Sequence, residues 1–133
     1  MAESINNVWV VDDDPIARLL IRKRLEKDTF CDEIAEYENG HEALESFKNN
    51  AASKPDLILL DLNMPVMDGW TFLDSLNENK SGKNQALPPI AILTSSIDQE
   101  DRDQAESYTN IISFLKKPLD LTVLIEDLKR YRV

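Results

Sequence analysis

Short apolar runs alternate with amphipathic stretches along the whole chain. Val8-Trp9-Val10-Val11 is apolar, β-branched in three of four positions, and ends in acids. Asp14-Pro15 opens a helix, with Asp14 at a cap-like position and Pro15 in the first turn. Ile16, Leu19, Leu20 and Leu25 follow at near-helical spacing up to about Lys27. Ile34 to Tyr37 reads as a second strand, Asn39-Gly40 as turn chemistry, and Ala43, Leu44 and Phe47 as a second helix. Leu57-Ile58-Leu59-Leu60 is continuously apolar, the pattern of a strand covered on both faces. Pro65 to Gly69 is a loop, and Trp70, Phe72, Leu73 and Leu76 mark a third helix. Residues 77–89 are polar and then Pro-rich, which predicts a long exposed loop. Ile90 to Leu93 is a fourth strand, and Asp98 to Ser107 a very polar helix. Ile111 to Leu115 is a fifth strand, and Leu121, Leu124, Ile125 and Leu128 mark a last helix.

Strictly alternating strands and helices predict an α/β fold: a doubly wound, five-stranded parallel sheet with five helices on its two faces. In such sheets the ligand site lies beyond the carboxyl ends of the strands, at a topological switch point. Polar groups of three kinds stand at those ends. Asp12, Asp13 and Asp14 follow the first strand and Asp61 the third. Thr94, Ser95 and Ser96 follow the fourth, and Lys116 and Lys117 the fifth. Glu36 and Glu38 are a weaker contribution from the second.

Charge dictates what such a cluster can do. Asp12, Asp13 and Asp61 repel one another when ionised and close together, and a hard cation relieves that repulsion. Mg²⁺ takes a few carboxylate oxygens, keeps several waters and leaves room for a phosphate oxygen. Phosphoryl transfer needs this positioning and neutralisation more than it needs covalent chemistry. Asp61 is the natural nucleophile, since it ends the most buried strand. Lys117 is placed to pair with a phosphate oxygen, and Thr94 to hydrogen-bond another.

Composition narrows the setting. The 133 residues suit one domain. A net charge of −10 argues against direct nucleic-acid binding. No apolar run reaches the roughly 18 residues of a membrane span, and the start MAESINN carries no basic region followed by an apolar one. Cys31 is the one cysteine, which suits a reducing cytoplasm.

Val10-Val11-Asp12-Asp13, Leu60-Asp61-Leu62-Asn63-Met64-Pro65 with Asp68-Gly69, Thr94-Ser95 and Lys117-Pro118 resemble the receiver domain of two-component response regulators. The resemblance covers Val8 to about Arg130. It implies a flavodoxin-like (βα)5 fold with strand order 2-1-3-4-5, and with the core at about 8–130 the expectation is a single receiver domain over 1–133 with no output domain. It further implies phosphorylation of Asp61 by a sensor histidine kinase or a histidine phosphotransfer protein. Mg²⁺ would be bound by Asp13 directly, by Asp12 mostly through water, by Asp61, and by the backbone carbonyl of Asn63. Thr94 would follow the phosphoryl group and Lys117 would hold it, with Lys117-Pro118 cis. Phe114 would be the aromatic whose rotamer couples to Thr94. Many members carry Tyr there, and Phe lacks the hydroxyl. The loop at 77–89 is longer than usual for the family. The expected output is a protein contact through the fourth helix, fifth strand and fifth helix, made by this domain alone or by a dimer of it.

Each signal has a plainer reading. An acid pair after a strand is often a solvated helix cap, Thr94 alone a cap, Lys116 and Lys117 alone solvent-facing. Phe114 is more often core, and His41 an exposed residue at a helix start. Their order and spacing carry the argument. Two other functions compete. An aspartyl-phosphate phosphatase shares the Asp, the Mg²⁺ and the Lys, and Asp12 and Asp14 have D-x-D spacing. Yet Asp61 follows the third strand, and Asn63 stands where that chemistry wants an acid. A flavodoxin-like cofactor binder would want a Gly-rich loop after the first strand, and the chain has three glycines. The expectation is a switch and not an enzyme.

Overall fold

A computed structural model describes residues 5–49, 54–65, 67–78 and 87–132. Strands and helices alternate: β1 (Ile5–Val11), α1 (Pro15–Lys27), β2 (Cys31–Tyr37), α2 (Gly40–Lys48), β3 (Leu57–Leu60), α3 (Gly69–Glu78), β4 (Ile90–Thr94), α4 (Gln99–Ala105), β5 (Ile111–Lys116) and α5 (Leu121–Arg132). The five strands are parallel, in the order β2-β1-β3-β4-β5. The expected α/β class and strand order are therefore present.

The pleat divides the core into two layers, because successive side chains point to opposite faces. Trp9, Val11, Ile58, Leu60, Ile90 and Ile92 pack with Ala43, Leu44 and Phe47 of α2 and Phe72, Leu73 and Leu76 of α3. Val8, Val10, Leu57, Leu59, Ala91 and Leu93 pack with Ile21 and Leu25 of α1 and Leu121, Leu124 and Leu128 of α5. All four residues of β3 are buried, as a strand covered on both sides requires.

Several boundaries differ from the sequence reading. β1 begins at Ile5 and β2 at Cys31, three residues early in each case, because Ile5 pairs with Cys31 and is itself buried. α3 runs on to Glu78, so the predicted loop starts later, and its residues 79–86 lie outside the described residues. In α1 the buried positions are Ile21 and Leu25, whereas Ile16, Leu19 and Leu20 are exposed.

The expected Asp14 cap is present, and Asn39, read from the sequence as turn chemistry, is a second cap. Asp14 is the N-cap of α1 and accepts from the Ile16 amide at 3.0 Å, with Pro15 behind it. Asn39 caps α2 by accepting from the Glu42 amide at 2.8 Å. Gly69 allows the chain after Asp61 to fold back. A Cβ there would lie 2.9 Å from the Leu62 Cα, and the Gly69 amide donates to the Leu62 carbonyl at 2.9 Å. Only glycine permits so close a return of one backbone on another.

Candidate functional site

The strand order puts the switch point between β1 and β3. The chain leaves β1 towards β2 on one side and later returns to β3 on the other. Val11 and Leu60 are register partners, and the Asp61 amide donates to the Val11 carbonyl at 2.9 Å. Asp12 and Asp61, the next residues on two neighbouring strands, therefore stand side by side. With Asp13 they form a group whose carboxylate oxygens lie within 4.8 Å of one another. Asp12 and Asp61 are buried and Asp13 is exposed, so two acids are fixed in the floor and one sits at the mouth.

Lys117 enters from the far strands. Its amide donates to the Thr94 carbonyl at 2.7 Å, and the Lys117-Pro118 peptide is cis. The ammonium donates to Asp12 Oδ2 at 2.7 Å and lies 4.0 Å from Asp61 Oδ1. Asp12 Oδ1 accepts from the Asp14 amide at 2.9 Å. Asp12 is thus well served, and Asp61 is not. The Asn63 amide reaches it only at 3.5 Å. Burial, and then the charge of Asp12, push the Asp61 carboxyl up to about 6. Lys117 and the Asn63 amide only partly oppose them.

The donor set is all oxygen and carries three carboxylates against one ammonium. A half-served carboxylate at the junction of two buried strands, with acids beside it, suits a hard divalent cation such as Mg²⁺. An exposed acidic cluster would gain little from one, but buried acids must be paired or neutralised.

The other strand-end residues lie partly around this corner and partly away from it. Thr94 ends β4, 1% exposed, and its hydroxyl donates to the Ser96 carbonyl at 3.0 Å. Phe114 lies on β5 opposite Ile92, half-buried in a groove against α4. Asn63 is exposed on the loop after β3. Lys116 is Thr94's register partner and is exposed, so only Lys117 serves the site. Asp14 does not join the acids, because its carboxylate caps α1. The D-x-D spacing is therefore no metal pair. Glu36 is also drawn elsewhere, bonded to Arg18 and Arg22.

Arg18 is a residue that the sequence reading missed. It donates to the Asp12 carbonyl at 2.6 Å and to Glu36 at 3.2 Å, tying α1 and β2 to the end of β1. A cation one turn beyond the cap of a helix that starts at an acid cluster was the signal available.

The comparisons with known proteins assign this 2-1-3-4-5 sheet with its acid corner to a family. The response regulator receiver domain model matches residues 8–129, and the chain belongs to that family. An uncharacterized 14.6 kDa protein of Leptolyngbya boryana is 35% identical over 94% of this chain and 88% of its own. The sensor histidine kinase CheAY of Helicobacter pylori is 35% identical over 92% of this chain, which spans only 14% of that protein. A two-component response regulator from Cytophaga hutchinsonii superposes with a TM-score of 0.85 at 26% identity, over 97% of this chain and 98% of its own. The expected family and flavodoxin-like receiver fold are thereby shown. Among the described residues no helix is long and apolar enough to cross a membrane.

Proposed function

We propose that this domain is a phosphorylation switch in which Asp61 takes a phosphoryl group from a phosphohistidine on a sensor kinase or phosphotransfer protein. A single observation carries the reading: the carboxylate at the switch point is buried, poorly served, and set between an acid group and the Lys117 ammonium. Asp12, Asp13 and Asp61 would hold Mg²⁺, joined by the Asn63 carbonyl. When bound, the metal neutralises the carboxylates and the incoming phosphoryl oxygens, which draws Asp61 to its ionised form.

An Asp61 oxygen attacks phosphorus, the P–N bond to the donor imidazole breaks, and the imidazole leaves with that electron pair. The product is an acyl phosphate on Asp61. Lys117, bonded to Asp12 and 4.0 Å from Asp61, swings towards a phosphoryl oxygen, and Thr94 turns its hydroxyl from Ser96 to another. These charge-assisted bonds are the strong kind, and they bias a two-state equilibrium in which Phe114 fills the space behind Thr94. The domain is not a turnover enzyme on this reading. Its chemistry is its own modification and the loss of that phosphate.

Two surfaces support partner roles. Ile16 and Leu20 on α1 are 65% and 60% exposed beside the acid corner. A groove of about 450 Å³ between α1 and Lys117–Leu119 adjoins them, lined by Ala17, Leu20, Ile21 and Leu93. The phosphodonor protein docks there, since its histidine must reach Asp61 past Asp13. The downstream protein is read through α4, β5 and α5, by this domain singly or as a homodimer. The acidic surface disfavours DNA as a direct partner, and the setting is the cytoplasm.

The test is incubation with Mg²⁺ and a small acyl phosphate, followed by intact-mass measurement beside Asp61→Asn. One hydroxylamine-labile phosphoryl adduct on the native chain and none on the variant is expected. An adduct that survives in the variant would sink the assignment.

A further inference from the structure

The side of the switch that faces a partner rests on a helix with little of its own to hold it. α4 has the sequence QEDRDQA, and Ala105 is its only buried residue. Its N-cap, Asp98, makes no side-chain capping bond. An alanine buries little apolar area, so the contacts of the remaining side chains decide how firmly α4 lies on β5.

One of those contacts is specific. The Arg102 guanidinium carbon sits 5.5 Å from the centroid of the Phe114 ring, within the range of a cation–π contact. Arg102 is the only basic residue of α4, and Asp98 and Glu106 stand four residues before and after it, the spacing at which a helix pairs opposite charges. Even so, Arg102 forms no ion pair with either among the described residues, and its cation lies over the ring. Both residues line the same open groove, with Gln99, Glu106 and Ile111. The Phe114 ring, packed on one side against the core, is thus covered on its groove side by a cation, while the Thr94 hydroxyl is bonded to its own loop at Ser96.

We infer that Arg102 is a positioning residue of the switch, holding the Phe114 ring outward in the groove and so biasing the unphosphorylated chain towards its resting state. The inference rests on the phosphoacceptor reading and adds what regulates it. A phenylalanine has no hydroxyl with which to fix its own rotamer by hydrogen bonding. A cation over its face does the same work from the neighbouring helix. Inward rotation gives up that contact, so the free energy of the contact is subtracted from whatever the phosphoryl group supplies. The strength of the latch sets how readily the domain responds.

The test measures beryllofluoride affinity by calorimetry in saturating Mg²⁺, with Mg²⁺ affinity and thermal midpoint measured alongside. Arg102→Gln is expected to bind beryllofluoride about two- to fivefold more tightly, the scale of an exposed cation–π contact. Arg102→Lys keeps the charge and should show a smaller gain. Mg²⁺ affinity should be unchanged in both. In a Phe114→Leu background, which keeps apolar bulk but removes the ring, Arg102→Gln should have no effect on beryllofluoride. Equal affinity in the native chain and Arg102→Gln, or the same gain with Leu at 114, overturns the latch alone. Failure of the native chain to bind beryllofluoride at all overturns the phosphoacceptor reading, and the latch with it.

Discussion

The two sides of the acid corner are built differently. On the β1–β3 side the backbone and Asp12 are firmly held. Asp12 bonds Lys117 and the Asp14 amide, Asp61 and Val11 are joined through the backbone, and Arg18 ties the Asp12 carbonyl to α1 and β2. On the β4–β5 side the Thr94 hydroxyl bonds its own loop, Phe114 is half-buried, and α4 buries a single alanine. Chemistry that needs fixed charges sits where the sheet fixes them. A surface that must change sits where few contacts resist change. Lys117 belongs to both sides, since its backbone is bonded to Thr94 and its ammonium to Asp12.

Removing Lys117 therefore breaks the comparison most severely. Lys117→Ala leaves Asp12 buried without its cation, and losing one partner of a buried pair costs about 3–5 kcal/mol. Lys117 is itself a quarter exposed, which points to the lower end. The expected outcome in chelator is a stability loss near that limit in urea unfolding. Mg²⁺ should restore much of it, because the metal replaces the missing charge, while activation stays absent. A variant that Mg²⁺ does not rescue would separate Lys117 from the acid corner.

The fixed side also stores a pH dependence. Asp61 titrates near 3.8 when free and near 6 in the fold, so the folded chain holds that proton more tightly than the unfolded one. Its contribution favours folding below the free value and is lost as pH rises through about 6. At pH 7 without metal the fold then carries a cost of about 3 kcal/mol from ionised Asp61, at 1.36 kcal/mol per pKa unit. Thermal midpoints of the metal-free chain should fall between pH 4 and 7 more steeply than those of Asp61→Asn. Parallel profiles would show that Asp61 is not desolvated. Asp13 is the exposed acid of the group and should matter less to the fold and more to the ion. Asp13→Ala should weaken Mg²⁺ by roughly 30-fold, about 2 kcal/mol for a charged ligand, with little change in metal-free stability. Calorimetric titration reads both.

Sequence made the fixed side far more legible than the loose one. Apolar runs that end abruptly in Asp12 and Asp61 mark strand ends, and a charge directly after Leu57–Leu60 demands a partner. Strand alternation then brings those ends together. The Lys117 ammonium could be placed through the family resemblance and the adjoining Pro118. Arg102 could not, because a lone Arg among acids on a polar helix reads as a solvated face, and only the crossing of α4 over β5 puts it on Phe114. The exposure of Ile16, Leu19 and Leu20 was hidden for a related reason. Helical periodicity shows which residues share a face, and the sheet decides which face it covers. Glu36 likewise stood at a strand end, but on β2, outside the switch point and within reach of Arg18 and Arg22.

The smallest expected effect tests whether the loose side has any anchor. Tyr108, just past α4, stacks on Trp70 of α3 with ring centroids 5.7 Å apart, and its hydroxyl donates to Asp74 at 2.7 Å. Burial, and then that bond to Asp74, push the phenol up to about 12. The hydroxyl stays protonated at any working pH and keeps donating. Tyr108→Phe removes the donor and preserves the stack, so it isolates the polar tie between α3 and the end of α4. A hydrogen bond to a charged acceptor on a partly exposed surface is worth about 1 kcal/mol. The variant should lose about that much stability, a thermal midpoint lower by about 3–5 °C. If the tie also restrains α4, amide exchange across residues 99–105 should quicken while that of β1 and β3 stays as it was. Equal acceleration in both places would mean that the two sides open as one unit, and that the difference between them is one of packing without independent motion.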